Sequence, residues 1–428
     1  MTQSHSPAPG SLRGLLRSKV GIAVSTGVVV MNLATYAYTM VAARALGPQP
    51  YGAFAAVMNL LLVVSVASLA LQATAARRIA AEPAHVAQIE RAILRVTYRT
   101  SLGLGVVLVA LAPVIDTALR LGSLATAALV GVAAVPITIM GGQAGILQGE
   151  RRWRPLAVVY VAAGVPRLVI GTALIAWRPD ELLAVLGVAL GALAPVIVGV
   201  VTLRGPRPDA DVAAHHGAMS MLVESLRNSQ ALLAFFALSN VDLLVARNVL
   251  SARDAGLYAA GLILTKAVLF LPQFVVVTAF PSMTAVHERR RAFRQSVGLV
   301  AGLGLAAVLG SWLLAPVVLE FVGGDAYAPI GSLLWLFAVL GTVLALLQLV
   351  VYSVLARQGT WSTYLIWVGV VALVAGCSTA DSVSSLLTTV TVIDGALLAA
   401  LMLVSVWRMR EIRAAPAVGP GVRGLPPQ

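Results

Sequence analysis

Twelve stretches of apolar residues, each about long enough to cross a bilayer, fill this sequence almost end to end. They run 20–42, 52–74, 100–119, 124–147, 155–177, 181–203, 228–248, 255–279, 297–319, 329–351, 362–380 and 382–406. A membrane-crossing helix needs about 20 such residues. The eleventh stretch is the shortest. Breaker residues separate several of them, as in Gly47-Pro48-Gln49-Pro50 and Arg204-Gly205-Pro206-Arg207-Pro208. Of the 428 residues, 59% are apolar and only 11% are charged. A soluble domain carries roughly 25% charged residues and needs polar cover for about half of its surface. Lipid is therefore the solvent for most of this chain. In lipid each backbone amide must be satisfied within the protein, so the expected fold class is an all-α integral membrane protein of about twelve helices.

The first stretch follows Arg13, Arg17 and Lys19, as the apolar core of a signal peptide would. It exceeds the roughly 7–15 residues of such a core and reads as an uncleaved span. Cleavage near Ala43 to Ala45 is the alternative.

The cations fix the expected orientation. Alternate loops hold Arg13, Arg17, Lys19; Arg77, Arg78, Arg91, Arg95, Arg99; Arg151, Arg152, Arg154; Arg204, Arg207; Arg289, Arg290, Arg291, Arg294; Arg357; and Arg408, Arg410, Arg413, Arg423. The intervening loops hold only Arg44, Arg120, Arg178, Arg247 and Arg253. Cytoplasmic loops of membrane proteins carry the excess of Lys and Arg, so both termini are expected inside. The net charge of +13 is thereby read as topology rather than nucleic-acid binding.

A short repeat supports a two-part plan. Gly52-Ala53-Phe54-Ala55-Ala56 matches Gly256-Leu257-Tyr258-Ala259-Ala260, each opening an even-numbered span. Six spans separate the copies, so both halves share one orientation, the parallel-repeat arrangement. The expected organisation is a cytoplasmic tail at 1–19, a six-helix lobe at 20–203, and a linker at 204–227 with an amphipathic stretch on the membrane face. A second six-helix lobe at 228–406 and a basic tail at 407–428 follow. A central cavity between the lobes is the consequence.

Enzyme chemistry finds no support in the residues. The chain lacks metalloprotease, P-loop and nucleophile-elbow motifs, and its outer loops are too short for a catalytic domain. His215 and His216 lie in a Pro-rich loop and read as solvated. Cys377, alone in the sequence, allows neither a disulfide nor a cysteine cluster. No cofactor or metal is expected.

Buried charge carries the functional signal, because a charge at mid-bilayer costs roughly 2.5–3.5 kcal/mol and normally faces a partner or water. Arg167 lies mid-way along the fifth span, Lys266 along the eighth and Asp394 along the twelfth; Asp242 lies in the seventh. Arg167 and Lys266 read as cavity cations that hold an anion, for which a pyrophosphate is suited. The alternative is structural pairing, Lys266 with Asp242 or Asp394. Asp242 and Asp394 fit a counter-ion role as well as a site role. Arg44 and Arg247 are placed to snorkel to the outer interface, with substrate contact as the second reading for both. Pro113, Pro136, Pro166, Pro195, Pro272 and Pro316 fall inside spans and can kink them. Trp153, Trp177, Trp361 and Trp407 sit near span ends as interface anchors.

Four stretches resemble one known family. They are Ala43-Arg44-Ala45-Leu46-Gly47-Pro48 running on to Tyr51-Gly52-Ala53-Phe54; Gly145-Ile146-Leu147-Gln148-Gly149 with Arg152-Trp153; Asn240-Val241-Asp242-Leu243-Leu244 with the second repeat copy; and Phe280-Pro281. In these the chain is similar to the multidrug/oligosaccharidyl-lipid/polysaccharide flippases, and within them to the Wzx-like O-unit flippases of polysaccharide biosynthesis. The resemblance implies a MATE-like, V-shaped pair of six-helix lobes, alternating access, and a polyprenyl-pyrophosphate-linked oligosaccharide as substrate. It implies cavity roles for Arg167 and Lys266, and it adds Asn240 to the cavity candidates. It also implies a multi-pass protein of a bacterial inner membrane, a monomer, with membrane lipids and the glycan polymerase and glycosyltransferases as partners. Four other readings stay open. A drug/cation antiporter of the same superfamily would be expected to carry an acid in the first span, and 20–42 has none. A lipid II flippase would be expected to have fourteen helices. A membrane glycosyltransferase or polysaccharide polymerase would need a catalytic acid in a sizeable outer loop, and Asp325 and Asp381 occupy short ones; a non-transporting assembly protein is the last alternative.

Overall fold

The computed structural model describes residues 19–204, 218–270, 289–355 and 360–414, and among them every element is helical. The first half comprises α1 (Lys19–Leu46), α2 (Pro48–Ala81), α3 (Val86–Ala110), α4 (Ala112–Leu119), α5 (Leu124–Gly149), α6 (Trp153–Trp177), α7 (Glu181–Gly191) and α8 (Leu193–Leu203). The second comprises α9 (Ala218–Val249), α10 (Ala252–Phe270), α11 (Arg289–Leu313), α12 (Ala315–Val322), α13 (Leu334–Leu355), α14 (Thr360–Cys377) and α15 (Val383–Ala414). A 3-10 segment, Asp325–Leu333, leads into α13.

Ten helical segments among the described residues are long and apolar enough to cross a membrane. They overlap the expected spans except the eighth and eleventh, and the third differs: it runs Val86–Ala110 rather than 100–119, so Arg91, Arg95 and Arg99, expected in a loop, ride on α3. The eleventh is a shorter apolar helix, Thr363–Cys377. The eighth is helical from Ala252 to Phe270, and 271–279 lies outside the described residues. His215, His216, Pro272 and Phe280-Pro281 lie outside them too. In the linker, 218–227 forms the start of α9, continuous with the seventh span.

Three of the expected proline kinks are one-residue breaks. α3 stops at Ala110 and α4 resumes at Ala112, just before Pro113; α7 and α8 part at Ala192, before Pro195; α11 and α12 part at Leu314, before Pro316. A proline lacks the N–H its fourth predecessor needs, and its ring crowds that carbonyl, so the helix parts just upstream. Pro136 and Pro166 sit inside unbroken helices.

The short loops are built tightly. Gly47 takes φ 72°, a left-handed conformation that suits glycine, and Pro48 then opens α2 where its missing N–H costs nothing. Ser123 caps α5 through Thr126 N at 3.2 Å, and Asp180 caps α7 through Leu182 N at 2.8 Å.

Packing repeats between the halves. α1 lies along α6, and α9 along α14; α2 lies along α5, and α10 along α13; α3 packs on α5 as α11 packs on α13. The halves meet where α2 starts, against α9 and α10. Gly52 faces Gly256 there, so the two repeat copies touch. A Cβ on Gly52 would stand 2.9 Å from the Gly256 Cα, and one on Gly256 would collide with the Pro48 carbonyl. This contact belongs to the short-loop end of the molecule. Phe54 and Tyr258, equivalent in the repeat, are fully buried below it.

Candidate functional site

A cavity of about 490 Å³ lies between the halves. Along α2 it extends from Tyr51 to Gln72; at about 1.5 Å per residue that is about 31 Å, the thickness of a bilayer core. Its two walls differ. α1 and α2 contribute Asn32, Thr35, Tyr36, Thr39, Asn59, Ser65, Ser68 and Gln72, and α6 contributes Tyr160 and Arg167. The second half contributes Leu243, Ala259, Leu262, Ile263 and Lys266. No carboxylate stands among these lining residues.

Arg167 and Lys266, chosen from opposite halves of the sequence, both line this cavity. Each is half-buried. The Arg167 Nε has no partner among the described residues. Lys266 donates to Asn59 Oδ1 from the first half and to Asn240 Oδ1 at 3.0 Å. The reach follows from helix geometry: side chains tilt toward a helix's N-terminus, so Lys266, one turn from the last residue of α10, points back toward the short-loop end. Among the described residues no carboxylate pairs directly with Lys266 at ion-pair distance.

The other expected residues divide. Asn240 is buried, meets Lys266, and also donates to Phe236 O at 2.7 Å. Asp242 is buried behind the apolar wall and accepts from Tyr258 OH at 2.7 Å and from Leu243 N at 2.9 Å. Asp394, 1% exposed, has one carboxylate oxygen without a partner among the described residues. Arg44 stands apart at the short-loop end, ion-paired with Glu320.

Arg247 also lies at that end, donating to the carbonyls of Leu119 (2.8 Å) and Arg120. At the opposite end, Arg152 meets Glu150 at 3.3 Å and Thr202 O at 2.6 Å, fastening α5 to α8. Burial pushes the Glu150 carboxyl up, and Arg152 pulls it back toward its ordinary range.

Sequence reasoning missed Asn59 and the polar wall. The signal was present: Asn32, Thr35, Tyr36 and Thr39 recur at helical spacing, as do Ser65, Ser68 and Gln72. Average hydropathy hides such stripes. Gln72 donates to both Gln148 Oε1 and Tyr160 OH at 3.0 Å, tying α2, α5 and α6 together at the cavity's far end. Among the described residues no group of three His, Cys, Asp or Glu side chains converges as a metal site.

The family model for "Polysaccharide biosynthesis protein" matches residues 18–287, more than half of the sequence. The chain belongs to the polysaccharide biosynthesis protein family. No curated protein matches it closely by sequence. Its fold is that of solved transporters of the MOP superfamily. An inward-facing multidrug resistance MATE transporter matches at 15% identity and TM-score 0.75, covering 94% of this chain and 100% of that one. An outward-facing form of such a transporter matches at 15% identity and TM-score 0.61, over 94% and 98%. A MOP superfamily transporter from Pyrococcus furiosus, described as having a binding pocket of reverse polarity, matches at 15% and TM-score 0.58, over 95% and 100%. Such low identity carries the fold alone. Family and fold together make this a multi-pass membrane protein of polysaccharide biosynthesis, built on the fold of MOP superfamily transporters.

Proposed function

We propose that this family member flips a polyprenyl-pyrophosphate-linked oligosaccharide from the cytoplasmic to the outer leaflet of a bacterial inner membrane by alternating access. The carrying observation is the cavity: two cations, one from each half, on walls that include no carboxylate among the described residues. Charge-assisted bonds to phosphate are strong, and Arg presents a planar fork that fits it. The hydroxyl, amide and tyrosine groups of α1, α2 and α6 suit a sugar, which needs many weak polar partners. The apolar wall suits the start of a prenyl chain. The basic-loop end is read as cytoplasmic, with lobes at 20–203 and 228–406 moving against each other. Arg167 and Lys266 bind the headgroup; Asn240 orients Lys266; Asp242 and Asp394 set the field behind it; Arg44 serves the closure of the short-loop end.

A drug/cation antiporter fits less well, since cationic drugs would meet cations with no carboxylate among the described cavity-lining residues. One neighbour of the same fold, from Pyrococcus furiosus, is itself described as having a binding pocket of reverse polarity.

The test is genetic. In a host lacking its own flippase and carrying the matching glycan genes, Lys266→Ala and Arg167→Ala are expected to abolish surface glycan while the protein still inserts. Wild-type glycan in both variants would remove the site assignment.

A further inference from the structure

Lys266 Nζ carries three protons, and two are engaged. One bond goes to Asn240, within its own half; the other goes to Asn59, across the cavity in the first half. Among the described residues, other side-chain bonds join the halves at the short-loop end: Arg44 with Glu320, Arg247 with the Leu119 and Arg120 carbonyls, Asn248 with Ala118 O at 2.7 Å, and Tyr327 with Ala43 O at 2.8 Å. Among described side chains, the Lys266–Asn59 bond alone ties the halves together inside the cavity. Asn59 is 3% exposed, and its amide nitrogen has no partner among the described residues. A buried donor left unpaired is unfavourable, so the site holds a group in want of an acceptor.

We propose that Asn59 is the residue through which the carrier senses its load. An anionic oxygen docking on Lys266 displaces the Asn59 carbonyl, and the released Asn59 turns its NH₂ group onto the same anion. A bond between an ammonium and a phosphate oxygen is stronger than one to a neutral amide, so the exchange runs toward the ligand. The first half thereby loses its mid-membrane tie at the moment the substrate is gripped. A ligand shifts a conformational equilibrium only through its differential affinity for the two states, and this swapped bond supplies that difference. Empty, the carrier keeps its short-loop end shut; loaded, it is freed to open there. The proposal rests on the reading of the cavity as an anion site.

Three substitutions separate the possibilities. Asn59→Ala removes the tie and the second ligand. Asn59→Asp replaces the tie with an ion pair that a ligand must break. Asn59→Leu keeps the volume without polarity and controls for packing. The full chain, with Cys377→Ala, takes spin labels at Arg178→Cys and Asp381→Cys, both exposed and one in each half at the short-loop end. Pulsed EPR in nanodiscs reads their separation, with farnesyl pyrophosphate as the probe and farnesol as its uncharged control.

Wild type is expected to gain a longer distance with the pyrophosphate and not with farnesol. Asn59→Ala and Asn59→Leu are expected to show that distance without any probe. Asn59→Asp is expected to stay short, needing at least about tenfold more probe. Wild-type behaviour in all three variants would overturn the role of Asn59. Binding of the probe, followed by calorimetry in wild type and Lys266→Ala, keeps the two claims apart. Binding that needs Lys266 while the Asn59 variants behave as wild type sinks only the proposal made here. Equal binding with and without Lys266 sinks the anion site as well.

Discussion

At the scale of single residues, position within an apolar span mattered more than residue type. Arg167 and Lys266 were legible because a lone charge in oil demands a reason, and both open onto one cavity. Asn59 was not legible. A neutral amide in a span costs too little to stand out, and its partner lies 207 positions away. Asp242 depends on Tyr258, whose hydroxyl donates at 2.7 Å in a fully buried setting. Tyr258→Phe is expected to destabilise the fold by about 1–3 kcal/mol, the penalty of a buried acceptor losing its donor. A thermal melt in detergent checks it; an unchanged midpoint would show that Asp242 does not rely on this bond.

At the scale of helices, hydropathy drew the spans well because the cost of exposing a backbone amide to lipid leaves few alternatives to a helix. Proline effects were less readable. Pro113, Pro195 and Pro316 sit beside breaks, whereas Pro136 and Pro166 ride in continuous helices. The residue alone does not decide this; what replaces the lost hydrogen bond, and what packs alongside, does. The glycine repeat was legible as a pattern but not as a contact. Its copies turn out to press together, Gly52 on Gly256. Gly256→Val is expected to hold α2 and α10 apart at the short-loop end and cut surface glycan by about tenfold or more, since interiors of this density do not absorb a new side chain for free. Gly298→Val, at a position with open space around its Cα, is expected to leave glycan at wild-type levels. Equal glycan from both variants would show that the contact is dispensable.

At the scale of the whole molecule, the closure of the short-loop end has a reciprocal form. Arg44, at the end of α1, reaches Glu320 on α12 of the other half. Arg247, near the end of α9, reaches the carbonyls that close α4 in the first half. α4 and α12 open with the same residues, Ala112-Pro113-Val114 and Ala315-Pro316-Val317, and each follows a proline break. Each half thus presents a short proline-started helix for the other's arginine to hold. The two bonds are unequal in worth. The Arg44–Glu320 pair is more than half exposed, and such pairs contribute about 0–1 kcal/mol. Arg247 is 5% exposed and charge-assisted. Arg247→Ala is therefore expected to open the short-loop end more than Glu320→Ala does, read as faster alkylation of a Tyr51→Cys probe in the Cys377→Ala background. The reverse order would misplace the main latch.

What the two cavity cations handle decides the function. Proteoliposomes containing the purified protein, loaded with a polyprenyl-pyrophosphate-linked sugar on one leaflet, give the direct measurement: the rate at which that sugar becomes accessible on the other. Wild type is expected to move it, Lys266→Ala and Arg167→Ala to fall to the protein-free rate, and a neutral prenyl glycoside to stay where it was placed. Undiminished transport by both variants, or equal transport of the neutral glycoside, would contradict the account.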